Sequence, residues 1–216
     1  MKTLKTIKKE IPFWIIVSAP VIYMLFIGSE LPEKIPLHWN LKGVADNYGS
    51  KWIMPVLNLV IYILMLVIPY IDPKKTNYKK FENTYYIFRI ILVSFFSALQ
   101  FIIVLNAKGI IINIERFVVT GLFILFISLG NYLGNVKRNW FLGIRTPWTI
   151  TDETVWRKTH FLTSRIWFWF GLLGLVISFF LTGKVLFIFF ILLTSVITLA
   201  PIVYSYLLYN KIHKEE

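Results

Sequence analysis

Long apolar stretches alternate along this chain with short polar segments rich in lysine. Neither the period of two of a half-buried strand nor the period near 3.6 of a half-buried helix interrupts them. Six stretches approach or exceed the roughly 20 residues with which a helix crosses a bilayer. They run near 12–29, 52–71, 85–105, 117–136, 166–182 and 185–209. The pattern predicts an all-α integral membrane protein with six transmembrane helices. The fifth span is short; the sixth is long and is expected to be broken by Pro201. Only Gly183 and Lys184 separate these two, which predicts a tight helical hairpin. Pro20, Pro55, Pro69 and Pro201 fall inside or at the ends of spans, where neighbours can satisfy the carbonyls they free.

Composition agrees. Of 216 residues, 57% are hydrophobic and 16% charged, against about 25% charged in a soluble domain. The first span follows Lys2, Lys5, Lys8 and Lys9, as a signal peptide would, but its apolar run is longer than a signal core and no small-x-small site follows. It is expected to remain as a permanent span. The chain has no cysteine, which excludes disulfides, thiol nucleophiles and thiolate metal ligands.

Charge sets the expected orientation, because cytoplasmic loops collect lysine and arginine. With the N-terminus inside, segments 2–9, 74–80, 137–165 and 211–214 together with Arg89 hold seventeen of the twenty-three basic residues. The outer segments hold Lys34, Lys42, Lys51, Lys108, Arg116 and Lys184. Both termini are therefore expected in the cytoplasm. The net charge of +12 lies mostly beside the membrane on one side, where anionic lipid and the insertion rule account for it. No direct nucleic-acid binding is expected.

Two segments are richer than connectors need to be. The outer loop 30–51 carries Pro32 and Pro36, which push the residues before them towards extended backbone, and turn chemistry at Gly43 and at Asn47–Gly49. It predicts a small structured outer lobe, with Trp52 anchoring the next helix. His38 and Asn40 are its ligand candidates. No His-x-x-His or His-Glu pattern accompanies His38, so a turn residue packed beside Trp39 is the plainer reading, and no metal is expected.

The inner loop 137–165 is reached through Asn131, Asn135 and Asn139, spaced every four residues. On one helix they would form a polar stripe, either gluing the fourth span to a neighbour or lining a cleft open to the cytoplasm. Gly130 and Gly134 form a small-xxx-small pair that lets a second helix come close. The helix is expected to stop past Asn139, broken by Gly143, and Thr146 before Pro147 to be extended. Thr151, Asp152 and Glu153 read as a cap with an acidic first turn, opening an amphipathic helix that feeds the fifth span. Trp156 and His160 share a face of it. The predicted element is a rigid elbow, with Arg145 projected at it and Trp140, Trp148, Trp156, Trp167 and Trp169 along the inner interface. It serves either as an interfacial anchor or as a ligand or partner site.

The string "GNYLGNVKRNWFLGIRTPWTITDETVWRKTH" closely resembles the signature of the SdpI family of bacterial immunity proteins. The outer loop "LPEKIPLHWNLKGVADNYGSK" is similar to the domain of unknown function that precedes it there. The resemblance implies an N-terminal membrane region over 1–105 and an SdpI-like region over 106–216. It implies a multi-pass protein of the bacterial cell membrane, in contact with membrane lipids, that protects the cell from a secreted toxin peptide. It also implies a toxin receptor that sequesters a small cytoplasmic repressor. The candidate site residues are those of the elbow and its approach, with His38 and Asn40 outside. A transporter or channel for a small solute is the alternative, but it would be expected to place ionisable groups at mid-membrane. Arg89 stands near a span end, and otherwise only Asn58, Gln100 and hydroxyls interrupt the spans. An enzyme is not expected, since histidines at 38, 160 and 213 make no catalytic constellation, and no cofactor is called for.

Overall fold

Apolar length becomes helix length in the computed structural model, which describes residues 2–40 and 44–214. Among the described residues six helices are long and apolar enough to cross a membrane. They are α1 (Lys2–Phe26), α2 (Ile53–Ile71), α3 (Glu82–Ala107), α4 (Ile114–Leu133), α6 (Glu153–Ser178) and α7 (Gly183–His213). A 3-10 turn, Lys75–Phe81, leads into α3, and the short α5 (Pro147–Thr151) precedes α6. The chain forms two compact units, Met1–Leu66 with Arg89–Val118 and Val67–Phe88 with Val119–Glu216.

In the first unit the outer segment is a β-hairpin. β1 (Lys34–Trp39) pairs antiparallel with β2 (Ala45–Ser50), Ile35 opposite Gly49 and Trp39 opposite Ala45. Extended backbone before Pro36 matches expectation, and the register shifts just after this proline, which brings no N–H to a ladder. Gly43 lies outside the described residues. Lys51 ties the hairpin base by donating to Glu33 at 3.0 Å and to the Gly28 carbonyl at 3.3 Å. Met24, Ile27, Leu31 and Val104 form an apolar cluster. Polar groups in the spans answer one another: Asn58 donates to Ser97 at 2.7 Å. Arg89 forks onto both carboxylate oxygens of Glu10, Tyr62 donates to Glu10 at 3.0 Å, and the guanidinium lies 4.2 Å from the Phe13 ring centre.

The second unit is organised by close helix approach. A Cβ on Gly130 would stand 2.8 Å from the Phe168 nitrogen and 2.9 Å from the Trp167 Cβ, so α4 meets α6 backbone to backbone there. Gly171 and Gly174 continue the contact against Ile127 and Phe123. The expected small-residue seam is present. Three expectations change. α4 ends at Leu133, not beyond Asn139. The amphipathic segment and the fifth span are one uninterrupted helix, α6, of 26 residues. Pro201 does not break the last span: α7 runs unbroken for 31 residues. The carbonyl that Pro201 cannot engage is that of Ile197, four residues earlier, and the Trp167 indole donates to it at 3.3 Å. A neighbouring helix thus supplies the missing bond.

Candidate functional site

The elbow between α4 and α6 is a knot of local hydrogen bonds built around one side chain. Asn139 is fully buried. Its Oδ1 accepts from the backbone N–H of Phe141 at 2.8 Å and of Leu142 at 2.7 Å, and its Nδ2 donates to the carbonyls of Lys137 and Leu142. Asparagine offers backbone such alternatives to helix, which explains why the chain leaves helical geometry before reaching it. Asn131 and Asn135 are exposed, one at the end of α4 and the other in the turn after it. The three asparagines therefore do not share a stripe: their spacing of four is helical only if the helix continues, and it stops at Leu133.

Gly143 is required twice over. Its φ of +99° is left-handed, and a Cβ there would fall 2.1 Å from His160 Nε2. This close approach lets the next residue reach the imidazole: the Ile144 N–H donates to Nε2 at 3.0 Å. The other ring nitrogen, Nδ1, lies 2.8 Å from the Trp156 carbonyl, to which only an N–H can bond. These partners assign His160 as the neutral Nδ1–H tautomer. The His160 ring stacks on Trp156 at 4.0 Å, so the two residues share a face as expected. Trp156 is buried and donates to the Val136 carbonyl at 2.8 Å. It is an internal strut, which corrects its expected place along the interface; Trp140 and Trp169 stay exposed.

Past the glycine, Thr146 is extended, at φ −89° and ψ 161°, and caps α5 in a reciprocal box with Thr149, with Pro147 in the first turn. The Thr146 hydroxyl lies 3.1 Å from that of Ser205 on α7, and Trp148 packs edge-on against Tyr206 at 5.0 Å. Asp152, not Thr151, is the N-cap of α6, accepting from the Val155 N–H at 2.8 Å. Burial pushes the Asp152 carboxyl up, but the backbone N–H groups of Val155 and Thr154 and the imidazole of His213 outweigh it and hold the carboxyl below its ordinary value. His213 sits 3.2 Å away, so α7 meets the elbow twice. Arg145 is exposed and donates to the Trp140 carbonyl at 2.6 Å. Its guanidinium closes the turn.

Several residues of the knot had gone unremarked in the sequence. Asp72, after α2, is buried and accepts from Tyr78 at 2.9 Å and from the Trp140 N–H at 2.9 Å. Asn77 donates to the Arg138 carbonyl at 2.7 Å, and Arg138 donates to the carbonyl of Thr151 at 2.9 Å, closing the end of α5. The inner loop after α2 is thus part of the site. An acid in the run "IDPKK" was the one signal available.

His38 and Asn40 belong to the other unit. His38 Nδ1 bonds Asp46 Oδ1 across the two strands, with the imidazole largely exposed, and Asn40 Oδ1 accepts from the Val44 N–H at 3.2 Å. Among the described residues no group of three or more His, Asp or Glu side chains could hold a metal ion.

Comparison with known proteins places this geometry. Residues 135–205, from the elbow to the last third of α7, match the SdpI/YfhL protein family. Residues 15–59, from α1 across the hairpin into α2, match a domain of unknown function (DUF1648). Over 209 residues the chain is 27% identical to the immunity protein SdpI of Bacillus subtilis (strain 168), covering 95% of this chain and 98% of that protein. No solved structure matches.

Proposed function

We propose that this chain, a multi-pass cell-membrane protein of the SdpI family, is an immunity protein that protects its bacterium against a secreted toxin peptide. The observation that carries the reading is similarity to an immunity protein along nearly the whole of both chains, with the family region beginning at the elbow. A protein that only shields and one that also reports need different things. Shielding asks for an outer or intramembrane surface that meets the peptide. Reporting asks in addition for a cytoplasmic surface that changes when the peptide is bound. The elbow suits the second task, because the α2 loop, the α6 start and the end of α7 all bond to it, and Trp140 and Arg145 stand exposed on it. We therefore take the candidate contact residues to be those of the elbow inside and His38 and Asn40 outside. A small cytoplasmic repressor is the proposed inner partner.

The alternative, a transporter or channel for a small solute, lacks an observation of its own: the Arg89 charge is already met by Glu10. The test is survival. A sensitive bacterium expressing this chain in its membrane should outlive its parent when exposed to an SdpC-type toxin peptide. An unchanged killing curve, with the protein verified in the membrane, removes the immunity reading for that peptide. Arg145→Ala at equal expression separates the two tasks. Loss of repressor capture with survival kept supports a reporting elbow, and loss of both makes the elbow part of the shield.

A further inference from the structure

A basic cleft lies beside the elbow in the second unit, apart from the bonds that build it. It is about 420 Å³ in volume and is lined by Lys79, Lys80, Asn83 and Thr84 on one side and by Asn135 and Lys137 on the other. Its other lining groups are the buried Phe81 ring and the Glu82 carboxylate, so the three ammonium groups leave a net charge of +2. Lys137 also lines a second cleft, of about 240 Å³, where Arg138 and Arg157 add two further cations beside Glu153. The two clefts share Lys137, and cations outnumber acids in the lining of each.

Depth says what fits it. α3 begins at Glu82 and α4 ends at Leu133, so Asn83 and Asn135 lie within a turn of the ends of two membrane-crossing helices. Headgroups occupy that level of a bilayer. Ammonium groups on flexible stems act as point charges that follow a phosphate without demanding a fixed fork geometry, and their methylene stems cover apolar surface while the charge stays wet. Basic pockets between membrane helices on the cytoplasmic side are suited to anionic headgroups. Asn135, which takes no part in a polar stripe, here lines the cleft and can donate an amide N–H.

We propose that this cleft is a specific site for the headgroup of an anionic phospholipid such as phosphatidylglycerol, its phosphate held by Lys79, Lys80 and Lys137. The site does not depend on toxin immunity, and its test does not read immunity. The full chain is purified in neutral detergent, offered equal phosphatidylglycerol and phosphatidylcholine, and weighed intact by native mass spectrometry. Each juxtamembrane lysine contributes roughly fivefold to binding an anionic surface, so phosphatidylglycerol should be retained at least about tenfold over phosphatidylcholine. The triple variant Lys79→Gln, Lys80→Gln, Lys137→Gln should bring that ratio close to one, and Lys34→Gln on the hairpin should leave it unchanged. All three lysines are exposed, so the variant is expected to fold; should it not, Lys137→Gln alone should lower the ratio about fivefold. Equal retention of both lipids by the wild type, or an unchanged ratio in the triple variant, overturns the proposal. So does inorganic phosphate that displaces the lipid at millimolar concentration, which makes this a free-phosphate site, or a polyglutamate peptide retained in its place, which makes it a protein-docking groove.

Discussion

Asn139 makes four hydrogen bonds to the backbone of the elbow, two through Oδ1 and two through Nδ2, and it makes them with no exposure to water. Asn139→Ala leaves two backbone N–H groups and two carbonyls without these partners, and each buried group left unsatisfied costs about 1–3 kcal/mol. Thermal unfolding in detergent should show a loss of at least one such group, about 1–3 kcal/mol, and limited proteolysis should cut the variant first between 137 and 146. Asn131→Ala, at an exposed position, should do neither. At Asp152 the consequence appears with pH. Its carboxyl titrates below the ordinary value of 3.8, so its contribution is complete above that pH and fades as acid takes the solution through its lowered pKa. Asp152→Asn keeps a capping oxygen but removes the ionisation. Its melting temperature should therefore fall less steeply than the wild type's on acidification below about pH 4. The residues from Trp140 to Asp152 could be grouped from the sequence because they lie close together in it, whereas the buried place of Trp156 on α6 could not. Nor could that of Asp72, since its bond to Trp140 spans 68 residues and nothing local marks an acid in a basic loop as buried.

The helices were legible because apolar length alone decides them in a bilayer, where a backbone has no water to bond. Their ends were less so. The end of α4 is set by competition between helix continuation and side-chain bonds that exist only once the elbow is folded. Pro201 read as a break because the sequence hides its remedy, an indole on another helix. The hairpin showed its extended start through Pro36, but the pairing itself needs a partner strand. The glycine seam can be checked directly. Gly130→Ala forces a Cβ against α6 backbone at 2.8 Å, whereas at Gly134 the nearest atom to a new Cβ is the Ser164 hydroxyl at 3.4 Å, an ordinary contact. Overpacking of the first kind costs about 1–3 kcal/mol. Gly130→Ala should lower stability in detergent by that amount, and Gly134→Ala should be close to neutral. Equal effects at the two positions would mean that the helices do not approach as closely as described.

At the scale of the whole molecule the open quantity is which side of the membrane each surface faces, and this is a matter of charge. Seventeen of twenty-three basic residues fall on the side of the N-terminus if the chain crosses six times. A translocated lysine or arginine is disfavoured strongly enough in short loops for such a bias to set orientation. α7 is long enough to reach beyond the membrane: at 1.5 Å per residue its 31 residues span about 46 Å, more than the roughly 30 Å hydrocarbon core. The turn carrying Lys211 and His213 can thus stand in the aqueous layer beside Asp152. The hairpin should then lie outside and the elbow inside. Because the chain has no cysteine, single cysteines report cleanly. Ser50→Cys, at the exposed end of β2, should react with a membrane-impermeant maleimide in intact cells. Thr151→Cys, also exposed, should react only after the membrane is permeabilised. The reverse pattern would put the lysine cleft and the elbow in the outer leaflet, and both a cytoplasmic repressor and an inner-leaflet lipid would lose their surface at once.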